Sequence, residues 1–199
     1  MQVRDLTLAD ARDIAGWRYA GRESTYDITD LVTPEDGFRA VEHEGRLIGY
    51  CCFGPEARVP GVGEQEGTLD VGYGLRPELV GCGLGRTFVG TILAFGVETF
   101  TPERLRLLIL DWNERSRRVA ESLGFRRERS ATNDTGTFLV MVRPETPADA
   151  SPTRKTDPGG GGSRVRFGEV RRRFRRVPLV PGNVERGIDA AGPRGLAQE

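Results

Sequence analysis

The stretch from Leu69 to Arg86, LDVGYGLRPELVGCGLGR, constrains the fold of this chain more than any other segment. Its first residues alternate apolar side chains with small or polar ones at the period of a strand, and Pro77 then removes a ladder donor. Glycines follow at every second position from 81 to 85, and an apolar helix pattern starts at once. This order predicts an anion site, because the first amides of a helix lack internal acceptors and carry partial positive charge.

The same glycines are also compatible with a tight strand-to-helix turn that binds nothing. The chain has 27 glycines in 199 residues, about twice the usual share, so alternating glycines can arise by chance. The spacing G-x-G-x-G also differs from the dinucleotide fingerprint G-x-G-x-x-G. The loop by itself therefore leaves both interpretations open.

The segment from Glu103 to Phe125 favours the anion site. ERLRLLIL alternates and then becomes wholly apolar, as a central strand does. Asn113 follows at the position of a helix N-cap, and Gly124 at the position of its left-handed stop. A strand, a helix and a second strand form a right-handed crossover, so the two strands should be parallel neighbours whose carboxyl ends share one crevice.

LRPELVGCGLGR followed by WNERSRRVAESLGF resembles the two signature segments of the GCN5-related N-acetyltransferases (GNAT), which acetylate amines with acetyl-CoA. The second segment is closest in wording to the branch of ribosomal-protein N-terminal acetyltransferases. The resemblance covers Met1 to about Arg143. It implies an α/β (α+β) GNAT fold, which is a mixed, mostly antiparallel sheet with one parallel, splayed strand pair and flanking helices.

The resemblance also implies acetyl-CoA as the acyl donor, bound without a metal. The pantetheine arm would pair with main chain near Leu75, and Asn113 and Ser116 would lie along it. The pyrophosphate would be held by the amides of the glycine loop, namely Gly81, Cys82, Gly83, Leu84, Gly85 and Arg86. Two residues depart from the family pattern. Val80 replaces an Arg or Gln, and Ala120 replaces the Tyr that in many members protonates the leaving thiolate.

By the same resemblance, the catalytic candidates are Asp70, which aligns with an acidic residue common on that strand, as the general base, and Ser116 as the residue beside the thiol. An ammonium with a pKa of roughly 10 must lose a proton before it can attack a thioester. Asp111 or a chain of water molecules is the alternative to Asp70. Ser116 shares the buried stripe of its helix with Val119 and Ala120, where a serine hydroxyl often bonds back to the preceding turn instead.

Trp17, Tyr19 and Tyr26 are the candidates for contact with the acceptor, because in the resembling family this region forms a wall of the acceptor pocket. Trp17 also has helical spacing from Ile14, which is typical of an ordinary core residue.

The remaining elements are read from local signals. Residues 2–6 should form a strand, and a capping box at Thr7 should start a helix that continues to about Tyr19. The pattern then predicts a first hairpin over 38–43 and 47–53 and a closing hairpin over 125–132 and 137–143. This assigns residues 1–146 to one domain. Residues 147–199 should be a disordered tail rich in Pro, Gly and Arg.

Composition excludes several function classes. No apolar run approaches the roughly 18 residues of a membrane span and no signal segment is apparent, so a cytoplasmic protein without a membrane partner is expected. Three cysteines and the single His43 fit neither a disulfide framework nor a metal site. The Arg-rich stretch 164–176 could contact nucleic acid, but a solvated extension is the favoured interpretation.

The predicted function is therefore direct transfer of an acetyl group from acetyl-CoA to a primary amine in a ternary complex, by a monomer or a homodimer. The acceptor could be a small molecule or a peptide. A peptide or protein N-terminal acetyltransferase is one alternative, and an acyl-CoA-binding module with weakened catalysis is another.

Overall fold

A computed structural model describes residues 1–145, so the expected disorder of the tail from residue 147 onward lies outside the described residues. The helices and strands are β1 (Gln2–Asp5), α1 (Leu8–Ala15), β2 (Phe38–His43), β3 (Arg46–Phe53), β4 (Thr68–Leu75), α2 (Gly85–Phe100), β5 (Arg104–Leu110), α3 (Glu114–Ser122), β6 (Arg126–Asn133) and β7 (Gly136–Pro144). Short 3₁₀ helices occur at Gly21–Tyr26, Gly54–Ala57 and Pro77–Leu79. None of the helices between Met1 and Glu145 is long and apolar enough to cross a membrane.

The strands form one sheet in the order β1-β2-β3-β4-β5-β7-β6. Only β4 and β5 are parallel, and every other neighbouring pair within residues 1–145 is antiparallel. The predicted mixed sheet with one parallel pair is therefore confirmed. The parallel register runs from Thr68 opposite Arg104 to Asp70 opposite Arg106 and stops there, although both strands continue. Beyond Asp70 the two strands diverge and leave a gap in the sheet.

Apolar residues on both faces of the sheet hold the helices in place. On one face, Leu69 and Val71 of β4 pack with Phe88 and Ile92 of α2 in the main core. On the other face, a second apolar cluster joins α1 to β2 and β3 and includes Tyr50. The gap between β4 and β5 thus has α2 on one side and the α1 layer on the other.

The first helix is shorter than its apolar pattern predicted. The capping box between Thr7 and Asp10 is confirmed, but α1 ends at Ala15 and not near Tyr19. The N–H of Gly16 donates to the carbonyls of Asp13 and Ile14, which closes the last turn. The chain then forms the 3₁₀ helix Gly21–Tyr26, which brings Tyr19 and Tyr26 toward the gap in the sheet.

Candidate active site

The gap between β4 and β5 exposes main-chain polar groups. The N–H of Arg76 donates to the carbonyl of Ile48 on β3 at 2.8 Å. Because alternate residues of an antiparallel strand direct their N–H and C=O to opposite edges, Tyr73 and Leu75 present theirs to the gap. The carbonyl of Leu75 accepts a hydrogen bond there from the hydroxyl of Tyr19 at 2.7 Å. A ligand that enters the gap can therefore bond to this strand as a further strand would.

The glycine loop leads from β4 into α2 and leaves its amides free. Gly81 and Gly83 have φ angles of +86° and +80°, which L side chains rarely adopt, so both positions favour glycine. Within residues 1–145, six main-chain N–H groups around this turn have no acceptor: those of Gly81, Gly83, Leu84, Gly85, Arg86 and Thr87. They lie at the N-terminus of a 16-residue helix, whose dipole favours an anion.

A cavity of about 510 Å³ extends from this loop along the gap. Most of the predicted cofactor residues line it: Leu75, Gly81, Gly83, Gly85, Arg86, Asn113 and Ser116. Cys82 and Leu84 do not line it. The N–H of Cys82 donates to the carbonyl of Leu79 at 3.3 Å, so of the six loop amides predicted to hold the pyrophosphate, that of Cys82 is already bonded. The predicted site residues for the donor are thus gathered around one cleft.

Two arginines of α3 that the sequence motifs did not predict as site residues also line this cavity. Arg115 and Arg118 are three residues apart, which places them on one face of the helix beside Arg86. Arg115 forms an ion pair with Glu23 across the cleft, and Arg118 pairs with Glu114. Both guanidinium groups could supply the positive charge that is lost where Val80 replaces an arginine. The sequence signal that could have identified them is their position in the first turns of the helix that follows Asn113.

Replacing Arg118 by Ala should raise the KM for acetyl-CoA roughly threefold to tenfold at low salt and leave kcat nearly unchanged, because an exposed charge contact is screened by ions. The matched control is Arg117→Ala. Arg117 also pairs with a glutamate one turn away on the same helix but does not line the cavity. Steady-state kinetics at two salt concentrations test this, and equal effects of both variants would contradict the assignment.

Asn113 organises the start of α3. Its Oδ1 accepts a hydrogen bond from the N–H of Ser116 at 3.1 Å, which confirms the predicted N-cap. Its Nδ2 donates to the hydroxyl of Tyr26 at 3.1 Å and so ties α3 to the 3₁₀ helix on the opposite wall. The hydroxyl of Ser116 makes no bond back to the preceding turn within residues 1–145, which leaves it available to a ligand in the cleft.

The amino-acid sequence that forms this cleft belongs to a segment that matches a known family. Residues 3–126, more than half of the chain, match the family model described as the acetyltransferase (GNAT) domain. The chain belongs to the GNAT acetyltransferase family. It is therefore an N-acetyltransferase that depends on acetyl-CoA, as its signature segments implied. No curated protein matched this GNAT acetyltransferase.

Solved structures share the fold at low sequence identity. An aminoglycoside acetyltransferase, AAC(6')-Ib, in complex with coenzyme A aligns with a TM-score of 0.60 and 19% identity over 72% of this chain and 94% of that one. The ribosomal-protein-S5-alanine acetyltransferase from Vibrio fischeri aligns with a TM-score of 0.55 and 20% identity over 75% and 94% of the two chains. At these identities the likeness shows that the GNAT acetyltransferase has the same fold as both enzymes.

The predicted general base of this GNAT acetyltransferase is a buried ion-pair residue. Asp70 is 1% exposed, and its carboxylate accepts hydrogen bonds from Arg106 at 2.5 and 3.0 Å and from Arg58 at 2.6 Å. Arg106 also donates to the carbonyl of Gly63 at 2.9 Å. Asp70 lines neither the large cavity nor a smaller one beside it. A role as the base stays a prediction, while the contacts favour a structural role at the fork of the two strands. Asp111 is exposed and lines neither cavity.

The three aromatic acceptor candidates occupy different places. Trp17 is 5% exposed and packs against Tyr50 at a centroid distance of 6.1 Å. It lines neither cavity, so its surroundings are those of an ordinary core residue. Tyr19 lines the large cavity, where its buried environment raises the pKa of its hydroxyl above the usual range. Tyr26 lines both cavities and packs against Trp112.

The smaller cavity, of about 70 Å³, meets the large one at the diverging strands. Residues shared by both cavities are Tyr26, Val71, Gly72, Tyr73 and Leu108. The rest of the smaller cavity is lined by hydroxyl and apolar side chains, from Thr25, Tyr50, Ala57, Val59, Leu110, Thr135 and Phe138. Among these described residues no carboxylate faces the space. The gap in the sheet therefore joins a long basic cleft to a small uncharged pocket.

Proposed function

We propose that this acetyltransferase transfers the acetyl group of acetyl-CoA directly to a primary amine while both substrates are bound. The observation that carries the proposal is the meeting of two cavities at the gap between β4 and β5. The large cavity, with its free loop amides and arginines, suits the phosphates and the pantetheine arm. The small one, on the far side of the gap, suits the acceptor.

The main chain of β4 supports the transfer step. Attack by a neutral amine places negative charge on the thioester oxygen, and a donor already fixed in position stabilises that charge. The N–H of Tyr73 faces the gap and has that role in the proposal. The carbonyl of Leu75 would receive the pantetheine amide in exchange for the Tyr19 hydroxyl that it now binds. Ser116 would lie beside the sulfur as the thiol leaves.

The proton of the amine can leave by either of two routes. Asp70 would have to give up at least one of its arginine partners before it could act as a base. A chain of water molecules along the hydroxyl groups of the small cavity needs no such change. The contacts of Asp70 favour the second route, and the two routes predict different pH–rate profiles for the variant Asp70→Asn.

The acceptor that suits the small cavity is a monoamine with a small apolar group. A space of about 70 Å³ admits only a small group, on the order of a few non-hydrogen atoms. A polycationic acceptor requires carboxylates to replace its water, and none of the described lining residues offers one. A small alkylamine and the N-terminus of a peptide that starts with alanine share the favoured chemistry.

A panel of amines tests this choice through thiol release from acetyl-CoA. Propylamine and an alanyl peptide should give a kcat/KM at least about tenfold above those of spermidine and kanamycin, which corresponds to about 1.4 kcal/mol. A higher value for the peptide than for propylamine would identify a protein N-terminus as the substrate. A preference for kanamycin would contradict the proposed acceptor. Thermal stabilisation by acetyl-CoA without thiol release would favour the alternative of a binding module.

A further inference from the structure

The hydroxyl of Tyr73 is a buried polar group without a partner. Within residues 1–145 it is the only buried side-chain nitrogen or oxygen that makes no hydrogen bond. An unsatisfied buried hydroxyl lowers stability, and native proteins keep such groups for an identifiable reason. The ring itself is held firmly, edge-on to Phe88 at a centroid distance of 6.1 Å. The position of the hydroxyl is therefore fixed before any ligand binds.

Tyr73 lies at the junction of the two cavities, with its ring on the α2 side of the gap. Tyr73 lines both of them, and its ring shares the face of β4 that carries Val71 and faces α2. Burial raises the pKa of Tyr73 to about 12, and the hydroxyl of Ser116 at the start of α3 approaches closely enough to oppose that rise, although the two hydroxyls form no hydrogen bond within the ordinary limits of distance and angle. One helical turn beyond Ser116, Ala120 is fully buried and has no polar group to offer.

We propose that Tyr73 is a further catalytic residue, whose hydroxyl donates a hydrogen bond to the sulfur of bound acetyl-CoA as the C–S bond breaks. The inference rests on the function proposed above. In this step the amine lone pair forms the C–N bond, and the C–S pair leaves with sulfur. The proton lost by the amine passes to sulfur by way of water and Ser116, and Tyr73 keeps its own proton throughout.

The acidity of Tyr73 explains why it donates a hydrogen bond and not a proton. With a pKa of about 12 the phenol stays protonated at every pH at which the enzyme would work. A thiol has a pKa of about 8.5, so the departing thiolate is too weak a base to remove the phenol proton. A fixed donor in a cleft with little water is the arrangement that stabilises developing charge most effectively.

The variant Tyr73→Phe removes only the hydroxyl and tests the proposal in three readouts. The melting temperature of the free protein should stay the same or rise, because an unsatisfied group is lost. The KM for acetyl-CoA should change less than about threefold, while kcat should fall roughly 10- to 100-fold. A lower melting temperature with an unchanged kcat would overturn the proposal and assign the hydroxyl a structural role.

A binding experiment separates this inference from the proposed function. Calorimetry would compare coenzyme A with desulfo-coenzyme A at pH 7 and pH 9. In the wild type the preference for coenzyme A should grow roughly tenfold with pH, because a bound thiolate accepts a charge-assisted hydrogen bond. In Tyr73→Phe the preference should stay flat. If no amine were acetylated, this difference would still support the contact with sulfur, whereas equal pH dependence in both proteins would overturn it.

Discussion

Replacing Asp70 by Asn is expected to lower the stability of the domain more than any other single substitution considered for this protein. Asp70 and Arg106 are 1% and 2% exposed, so the change leaves a buried guanidinium without its counter-charge. Breaking such a pair costs about 3–5 kcal/mol, which corresponds to a fall in Tm of roughly 10 °C or more in a domain of this size. Thermal unfolding followed by circular dichroism measures the effect.

The matched control for Asp70 is Asp5→Asn. Asp5 also faces an arginine, Arg39, at 3.4 Å, but its side chain is 91% exposed, so Tm should barely move. Kinetics of the folded fraction then distinguish the two roles of Asp70. If Asp70 has a structural role, the folded fraction of the variant should show the wild-type pH–rate profile, and only the yield of folded protein should fall. Selective loss of rate at a pH where the amine is still protonated, with little loss of stability, would instead establish Asp70 as the general base.

Replacing Gly83 by Val is expected to weaken coenzyme A binding roughly 10- to 100-fold. The φ angle of +80° is strained for a β-branched residue, so the loop would move and its free amides would no longer converge on the phosphates. No atom lies within 4 Å of a Cβ built at this position, so the effect would come from the backbone and not from a clash. Calorimetric titration with coenzyme A gives the dissociation constant directly.

Gly45→Val is the control for the backbone strain itself. Gly45 has a φ angle of +75° and the same open surroundings, but it lies in the turn between β2 and β3, away from the cleft. Both variants should lose similar stability, and only Gly83→Val should lose affinity. Equal affinities in the two variants would show that the glycine loop does not hold the phosphates.

Local chemistry made much of the fold predictable. Asn113 and Gly124 mark the two ends of the α3 segment by cap preferences that depend on a few neighbouring atoms, and the structure confirms both. The parallel pairing of β4 with β5 followed from the handedness of the crossover. The predicted end of α1 near Tyr19 was wrong. Trp17 continues the apolar spacing of the helix, but the helix already stops at Gly16.

Tertiary contacts decided what the sequence left open. The alternation of β4 grouped Asp70 with Gly72 and Gly74, but it could not say which face meets the cleft. That answer depends on α2, which covers the face of Val71, and on Arg58, which reaches Asp70 from a loop before the strand. The unpaired hydroxyl of Tyr73 likewise depends on which groups the fold brings around it, which no local pattern encodes.

Direct transfer is tested most directly by the initial rate of thiol release, measured at varied concentrations of both acetyl-CoA and amine. Direct transfer between two cavities that meet at one gap predicts lines that intersect in a double-reciprocal plot, because both substrates must be bound together. Parallel lines would indicate that a residue such as the exposed Cys82 carries the acetyl group first, and would contradict direct transfer. No thiol release with any amine would contradict the proposed function itself.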